Sequence, residues 1–113
     1  MKTKKELKEE YKQSKPKMGV FSIRNLENGK ILIDYALDVE AKWNRHKMEL
    51  KFGSHKNKEL QSDWKNLGEE QFRFEILSTL EHKEDEFVDY QKELELLKSI
   101  VIDELNLSEE NRY

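Results

Sequence analysis

The first apolar residues after the basic N-terminus recur at a period of two, the period of a β-strand. Residues 18–25, MGVFSIRN, alternate well enough for a strand. Residues 30–35, KILIDY, repeat the pattern after an Asn-Gly pair at positions 28–29, and both residues of that pair tolerate the positive φ of a tight turn. The pattern predicts a β-hairpin over 18–35, with the carboxylate of Asp34 where a buried strand would stay apolar.

The apolar period then changes to that of a helix. Four residues recur at spacings of four, three and four and therefore share one helical face: Val39, Trp43, His46 and Leu50. Asp38 can accept hydrogen bonds from the free N–H groups of a first turn. Gly53 suits the position just after a helix end. These signals predict a helix over 39–52.

Two more helices and one more strand follow. The pattern predicts a short helix over 57–67, a strand over 71–77 and a long helix over 84–105. The expected fold is α+β, a small, mainly antiparallel three-stranded sheet flanked by helices in the order (α)ββααβα. The predicted core consists of Val20, Ile31, Ile33, Trp43, Leu50, Phe72, Phe74, Ile76, Leu94, Leu97 and Val101.

The ends of the chain differ from its middle. Residues 1–17 are expected to form a basic helix or a loose arm, which Pro16 ends because the residue before a proline disfavours the α conformation. Residues 18–105 form the predicted domain, and residues 106–113 form a C-terminal tail. A chain of 113 residues suits one such domain.

Composition excludes several classes of protein. The sequence has no cysteine, so it has no disulfide framework, thiolate nucleophile or cysteine-based zinc site. Neither a secretion signal nor an apolar run long enough for a bilayer is present. The expectation is a cytoplasmic protein with no membrane partner.

Charge is unevenly spread although the net charge is only −3. Residues 42–58 carry six lysines and arginines against Glu49 alone, whereas residues 81–113 carry eleven acids against four bases. The basic segment could meet a polyanion or could be a solvated helix face. The acidic tail weighs against strong binding of a polyanion.

Several short motifs in this order resemble those of the GIY-YIG nuclease family. Met18-Gly19-Val20-Phe21 stands at the family's first motif, and Leu32-Ile33-Asp34 stands at the second. The segment WNRHKMELKFGSH, residues 43–55, is similar to the family's first helix, and residues 57–77 are similar to the segment after it. The resemblance covers about residues 18–105 and implies the family's fold.

The resemblance implies metal-dependent cleavage of phosphodiesters, yet this sequence departs from the family at most catalytic positions. Phe21 and Leu32 stand at the two motif tyrosines, and Asp34 stands at the motif glycine. Lys42 replaces an arginine and keeps its charge without its two-pronged geometry. Lys98 falls where the family has a metal-binding glutamate, and an ammonium cannot ligate a cation. The family pattern survives at Arg45, His46, His55 and Asn57.

These positions define the candidate sites. The catalytic positions, mostly degenerate, are Phe21, Leu32, Lys42, His46 and Lys98. The nucleic-acid-binding candidates are Lys42, Arg45, Lys47, Lys51, His55 and Lys56. No metal or cofactor is expected, unless Glu95 serves as a ligand for Mg²⁺ in a shifted helix register. His46 could transfer protons or could be an ordinary residue at the edge of the core.

Three functions are consistent with the sequence. The first is a catalytically impaired nuclease-like domain that binds DNA weakly, in a salt-dependent manner, through the basic helix. The second is an active, divergent, metal-dependent endonuclease that recruits Glu95 or Asp34 as a ligand. The third is a protein-interaction module, such as a homodimer, that reuses the fold.

One interaction is predicted from the degenerate site itself. Asp34 and Lys98 should line the same cleft, so Lys98 could fill the space of the missing cation while Asp34 balances its charge. The alternative is that Asp34 points to solvent at the end of its strand.

Overall fold

The computed structural model describes residues 16–82 and 88–113. The elements are strand β1 (Met18–Asn25), strand β2 (Ile31–Ala36), helix α1 (Val39–Phe52), helix α2 (Lys58–Leu67), strand β3 (Phe72–Leu80) and helix α3 (Tyr90–Leu105). Short 3₁₀ segments lie at Glu69–Gln71 and Glu109–Asn111. The predicted N-terminal helix lies outside the described residues.

The three strands form one antiparallel sheet in the order β2-β1-β3. The α+β class and the predicted order from β1 to α3 are thus confirmed. The hairpin between β1 and β2 is also confirmed, with a loop of residues 26–30 where the predicted strands leave residues 26–29. Only the glycine of the Asn-Gly pair is left-handed, with φ 77° at Gly29. Asn28 uses its side chain instead and accepts the Lys30 N–H at 2.9 Å.

Helix ends follow the predicted capping residues for α1. Asp38 accepts the Ala41 N–H, and Gly53 takes a left-handed conformation after the last turn. The start of α3 differs from the prediction, because Asp89 caps this helix by accepting the Lys92 N–H and the helix begins at Tyr90. The residues predicted to form its first turn, 84–87, lie outside the described residues.

The sheet is covered on both faces. Helices α1 and α2 pack on one face over a core of Phe21, Ile23, Val39, Leu50, Leu60, Trp64 and Phe72. Helix α3 packs on the other face over Val20, Ile31, Ile33 and Val101. Most predicted core residues belong to these two clusters, but the predicted core did not include Phe21 and Ile23, which are buried in the first cluster. The central strand β1 buries both of its faces, so its apolar residues do not follow a simple alternation.

Close backbone approach explains the glycine at the start of β1. A Cβ built on Gly19 would lie 2.1 Å from the Ser78 carbonyl oxygen on β3. The ladder between the two strands shifts register directly afterwards, between Val20 and Phe21. Only glycine lets the two backbones meet there.

The last residues fold back onto the sheet. The Tyr113 N–H donates to the Ile31 carbonyl at 3.0 Å. Its hydroxyl donates to Asp63 at 2.6 Å and accepts from Asn25 at 2.9 Å. These bonds join the C-terminal residue to β1, β2 and α2. No described helix is long and apolar enough to cross a membrane.

Candidate functional site

Asp34 points toward α1 because it shares a face of β2 with Leu32 and Ala36, which pack on the α1 side of the sheet. On α1, His46 lies two turns after Val39, a residue buried at the base of the helix. The His46 Nε2 atom therefore comes within 2.9 Å of the Asp34 carboxylate. Asp34 thus neither pairs with Lys98 nor points to solvent, as the two interpretations of the sequence had it, but contacts a histidine.

A second histidine extends this contact. The loop after Gly53 places His55 with its Nε2 atom 2.7 Å from His46 Nδ1. The backbone N–H of Asn57 donates to His55 Nδ1 at 3.0 Å. The three side chains Asp34, His46 and His55 form a continuous hydrogen-bonded array, called here the Asp-His-His array.

The backbone fixes where the protons of this array lie. Because His55 Nδ1 accepts from an N–H, its proton must be on Nε2, which then donates to His46 Nδ1. His46 therefore carries its own proton on Nε2 and donates it to Asp34. One backbone N–H thus sets both tautomers and directs both protons toward the carboxylate.

Burial and charge support that arrangement. His55 is 4% exposed, and burial lowers the pKa of its imidazole, which favours the neutral ring. Burial alone would raise the pKa of the Asp34 carboxyl, but the hydrogen bonds from His46 and from the Tyr35 N–H, with the nearby Lys42, hold that pKa below its ordinary value. Asp34 is therefore an anion at neutral pH.

A polar cleft of about 220 Å³ opens beside the array. Its lining consists of Asp34, Lys42, Arg45, His46, Glu49, His55 and Lys56, and we call it the α1 cleft. The Lys42 ammonium lies 4.0 Å from Asp34, and Arg45 pairs with Glu49 at 3.2 Å. Three cations thus face two carboxylates.

Four of the six predicted nucleic-acid-binding residues line this cleft: Lys42, Arg45, His55 and Lys56. Lys47 lies over the Trp43 ring, 5.3 Å from its centre. Lys51 is exposed, four residues further along the side of α1 that carries Lys47. The structure therefore brings together part of the predicted set and leaves two lysines outside the cleft.

The aromatic side chains considered for base stacking are instead core residues. Trp43 stacks on Phe74 with ring centres 5.2 Å apart, and Trp64 lies 5.0 Å from Phe72. Phe21, at the first motif position, is fully buried and meets the His46 ring edge-on at 5.9 Å. Leu32, at the second, is half-buried on the same core.

Lys98 does not join the other family positions. Its ammonium lies 5.8 Å from the centre of the Tyr35 ring, and Tyr35 packs with the α3 face of the sheet while Asp34 points to the α1 face. Consecutive strand residues point to opposite faces. The predicted ion pair between Asp34 and Lys98 is therefore wrong, since Asp34 pairs with His46 and Lys42.

The residues present do not fit the metal ion that the family resemblance implies. Among residues 16–82 and 88–113, no three histidine, aspartate or glutamate side chains are grouped to hold a metal. In the array, the ring nitrogens are already engaged with one another, with Asp34 and with the backbone. Glu95 accepts the Tyr35 hydroxyl at 2.9 Å, and Lys98 lies over that same ring.

Sequence reasoning missed one feature beside the cleft. Phe52 is 75% exposed at the end of α1. It lies seven residues after Arg45 and three after Glu49, which places all three on one face of the helix. That spacing was visible in the sequence, but the exposure of the ring was not.

Comparisons with known proteins agree with this fold. No protein-family model matches the chain. The chain is 32% identical over 69 residues to Intron-associated endonuclease 1 of Enterobacteria phage T4, an alignment that covers 61% of this chain and 28% of that protein. The chain thus spans under a third of the curated relative's length.

Two solved structures are similar over most of the chain. One is a variant of the catalytic domain of intron endonuclease I-TevI, with a TM-score of 0.69, 29% identity, and coverage of 86% of this chain and 91% of the other. The second is the catalytic domain of homing endonuclease I-TevI, with a TM-score of 0.67, 29% identity, and coverage of 85% and 95%.

Proposed function

The chain is a member of the GIY-YIG nuclease family by fold and by sequence similarity, and from this we propose that it is a nuclease-like domain that binds nucleic acid and is impaired in cleaving it. The relatives it resembles are named as endonucleases, so a phosphodiester backbone is the natural ligand to test. The main support for the proposal is the α1 cleft, because three cationic side chains, Lys42, Arg45 and Lys56, line it.

The cations of the cleft suit phosphate groups. Lysine and arginine supply most of the affinity of proteins for nucleic acid backbones through contacts with phosphate. The Arg45 side chain is largely exposed, and among the described residues it pairs with Glu49, one turn along the helix. A surface pair of this kind is worth little, so Arg45 can exchange Glu49 for a phosphate. Asp34 and Glu49 offset part of the positive charge, which favours weak binding.

The histidines have a positioning role in this proposal. Both ring nitrogens of His55 are engaged, one by His46 and one by the Asn57 N–H. We therefore assign phosphate contact to the cations and assign to His55 the task of holding the ring of His46 in place.

Impaired cleavage follows from the lost functional groups. The phenyl ring of Phe21 fills the first motif position without a hydroxyl, and Leu32 offers neither ring nor hydroxyl. Lys98 brings a positive charge to the helix position where the resemblance implies a metal ligand. Loss of a catalytic metal removes several kcal/mol of stabilisation of the charge that develops on phosphoryl oxygens.

Salt-dependent binding tests the first half of the proposal. A labelled DNA duplex should bind with a log–log salt slope of about −3 to −4.5, as expected for three to five phosphate contacts. Arg45→Ala and Lys56→Ala should each flatten the slope by about one unit. Lys92→Ala, an exposed lysine on the opposite helix α3, should leave the slope unchanged. Absence of binding to any DNA or RNA at low salt would instead favour a protein-interaction module.

Plasmid nicking tests the second half. The purified protein should show no nicking above background with Mg²⁺ or with Mn²⁺. In an active enzyme, Glu95 would have to exchange the Tyr35 hydroxyl, which it accepts at 2.9 Å, for a metal ion. Nicking that disappears in Glu95→Ala would establish that alternative.

A further inference from the structure

The strongest feature that the proposed function leaves unused is the exposed ring at the end of α1. Phe52 is the most exposed large apolar side chain among the described residues, and Met48, one turn earlier, is 60% exposed. Water surrounds both side chains although each has a large apolar surface. Exposed apolar groups that lie together next to a polar site commonly mark a binding surface.

The position of Phe52 relates it to the α1 cleft. Lys42, Arg45 and Glu49 line the cleft from successive turns of the helix, and Phe52 follows on the same face at the end of this row. At 1.5 Å per residue, Phe52 lies about 10 Å beyond Arg45 along the helix axis. That distance is about three base steps at 3.4 Å per step. A strand whose phosphate meets Arg45 would thus bring a base close to Phe52.

We propose that Phe52 stacks on an unpaired base of the bound strand, so that the domain prefers single-stranded DNA or DNA with an unpaired end over a blunt duplex. This inference rests on the proposed nucleic-acid binding. Proteins hold single strands with an aromatic face beside a cationic groove, because every base has a π-face. Here the ring follows Lys42 and Arg45 on one helix face, with Glu49 between them and the ring. Inside a blunt duplex the bases are already stacked on one another, and the ring would find no partner.

A second copy of the chain fits this surface less well. Two exposed side chains would bury roughly 400 Å², and a stable interface needs about 800 Å² from each partner. The α1 residues nearest the ring carry mixed charge, since Arg45 and Lys51 are cationic and Glu49 is acidic. Together with Lys42 and Lys56 of the α1 cleft, the cations outnumber the acids Asp34 and Glu49, which favours a polyanion over a second copy.

Fluorescence anisotropy with two probes tests the inference. The probes are a labelled twelve-nucleotide oligothymidine and a blunt duplex of the same length. Phe52→Ala should weaken binding of oligothymidine about five-fold or more and should leave the duplex affinity within two-fold. Phe52→Tyr keeps an aromatic face and should bind both probes like the unmodified protein.

Two control variants separate stacking from general effects. Phe52→Leu keeps apolar surface without a ring and should lose affinity for oligothymidine as Phe52→Ala does. Leu96→Ala removes a side chain of similar exposure, 63%, from α3, and should change neither affinity. Circular dichroism of each variant confirms that the fold is retained, as expected at an exposed position.

Four results would overturn the inference alone, and a fifth would overturn the proposed function with it. One is normal oligothymidine binding by Phe52→Leu, which would show that the ring is not used. Another is an equal loss for both probes in Phe52→Ala. A third is a dimer in sedimentation velocity that Phe52→Ala dissociates, which would assign the surface to a second copy. The fourth, duplex binding without binding of oligothymidine, would refute the stacking and leave the proposed function standing. Failure to bind either probe would refute the proposed function as well.

Discussion

The side chains of His55, His46 and Asp34 lie in a row: His55 donates to His46, and His46 donates to the Asp34 carboxylate. The row begins at a backbone N–H, that of Asn57. A carboxylate that accepts from His46 and from its neighbour's N–H is well stabilised as an anion. Asp34 is therefore neither a solvent-facing residue at a strand end nor a partner of Lys98, and it contributes a fixed negative charge to the α1 cleft.

Removing that charge should strengthen binding of phosphate groups. Asp34→Asn keeps an oxygen that accepts from His46 and removes the charge 4.0 Å from Lys42. We expect a gain in duplex affinity of about two- to five-fold at low salt, because the anion both neutralises Lys42 and repels phosphate. Fluorescence anisotropy measures the change. Glu93→Gln, an exposed acid on α3, is the matched control and should have little effect. An unchanged or lower affinity in Asp34→Asn would contradict this prediction.

The buried imidazole of His55 should make stability depend on pH. Burial lowers its pKa in the folded protein from the ordinary value of 6.5, so the unfolded chain binds a proton first as pH falls. Stability should therefore decrease as pH drops from about 7 to 5, by at most about 1.4 kcal/mol per pH unit. Urea unfolding across this range measures the slope, which should be smaller in His55→Gln. In NMR titrations, a His55 midpoint at or above that of the same residue in urea would refute the prediction.

At the scale of elements, periodicity and capping residues identified β1, β2, α1, α2 and β3 within a few residues. Each of these elements has either an apolar face, visible as a periodic pattern in the sequence, or a recognisable capping residue. The start of α3 was placed too early, because a run of acidic residues before Asp89 carries no stop signal. The hairpin loop, which the predicted strands leave at residues 26–29, extends by one residue to Lys30, and the Asn-Gly pair supplies one left-handed residue instead of two.

The candidate site was harder to predict than the elements. The basic residues of α1 were recognised, but which of them converge depends on helix rotation, and Lys47 and Lys51 point away from the cleft. Lys98 was placed beside Asp34 by counting along the last helix. A strand places neighbouring residues on opposite faces, so the contact fell on Tyr35, one residue further. The row from Asp34 to His55 needs the loop after Gly53, whose path the sequence does not specify.

The approach of β1 to β3 makes Gly19 the most restrictive glycine position of the described residues. Gly19→Ala should lower the free energy of unfolding by about 3 kcal/mol, because the new methyl group would meet the backbone of Ser78 and the strands would have to separate. Gly29→Ala is the comparison: nothing lies within 4 Å of its Cβ position, so only its left-handed φ opposes the change, at about 1 kcal/mol. Urea denaturation measures both. An equal loss of unfolding free energy in the two variants would contradict the prediction and would show that β3 moves aside at little cost.

At the scale of the whole molecule, the sheet separates two environments. The α1 face carries the cleft with its cations, whereas α3 on the other face carries glutamates and Lys98. The C-terminal residue packs with the α1 face, where Tyr113 contacts β1, β2 and α2 at once. The hydroxyl of Tyr113 joins parts of the chain that are far apart in sequence.

Loss of this hydroxyl should destabilise the fold. Burial, with the hydrogen bond to Asp63, raises the pKa of Tyr113 to about 12, so the phenol stays protonated and donating at all ordinary pH. Tyr113→Phe should lower the free energy of unfolding by about 1–2 kcal/mol, because Asn25 and Asp63 lose a partner. Tyr35→Phe removes an exposed hydroxyl that contacts Glu95 and should leave stability nearly unchanged. Similar urea midpoints for the two variants would contradict the prediction.

The position of Tyr113 also affects whether two molecules of this chain can pair along the edge of the sheet. Strand β2 is an edge of the sheet, and an edge strand offers unpaired backbone groups to which a neighbouring molecule can add a strand of its own. The Tyr113 N–H occupies the Ile31 carbonyl, and Arg112 bridges the same residue in parallel. The first residue of the edge is therefore already paired within the chain. The C-terminal residues thus block addition of a foreign strand at the start of the β2 edge, and displacement of this segment would expose the backbone of Ile31 to a neighbouring molecule.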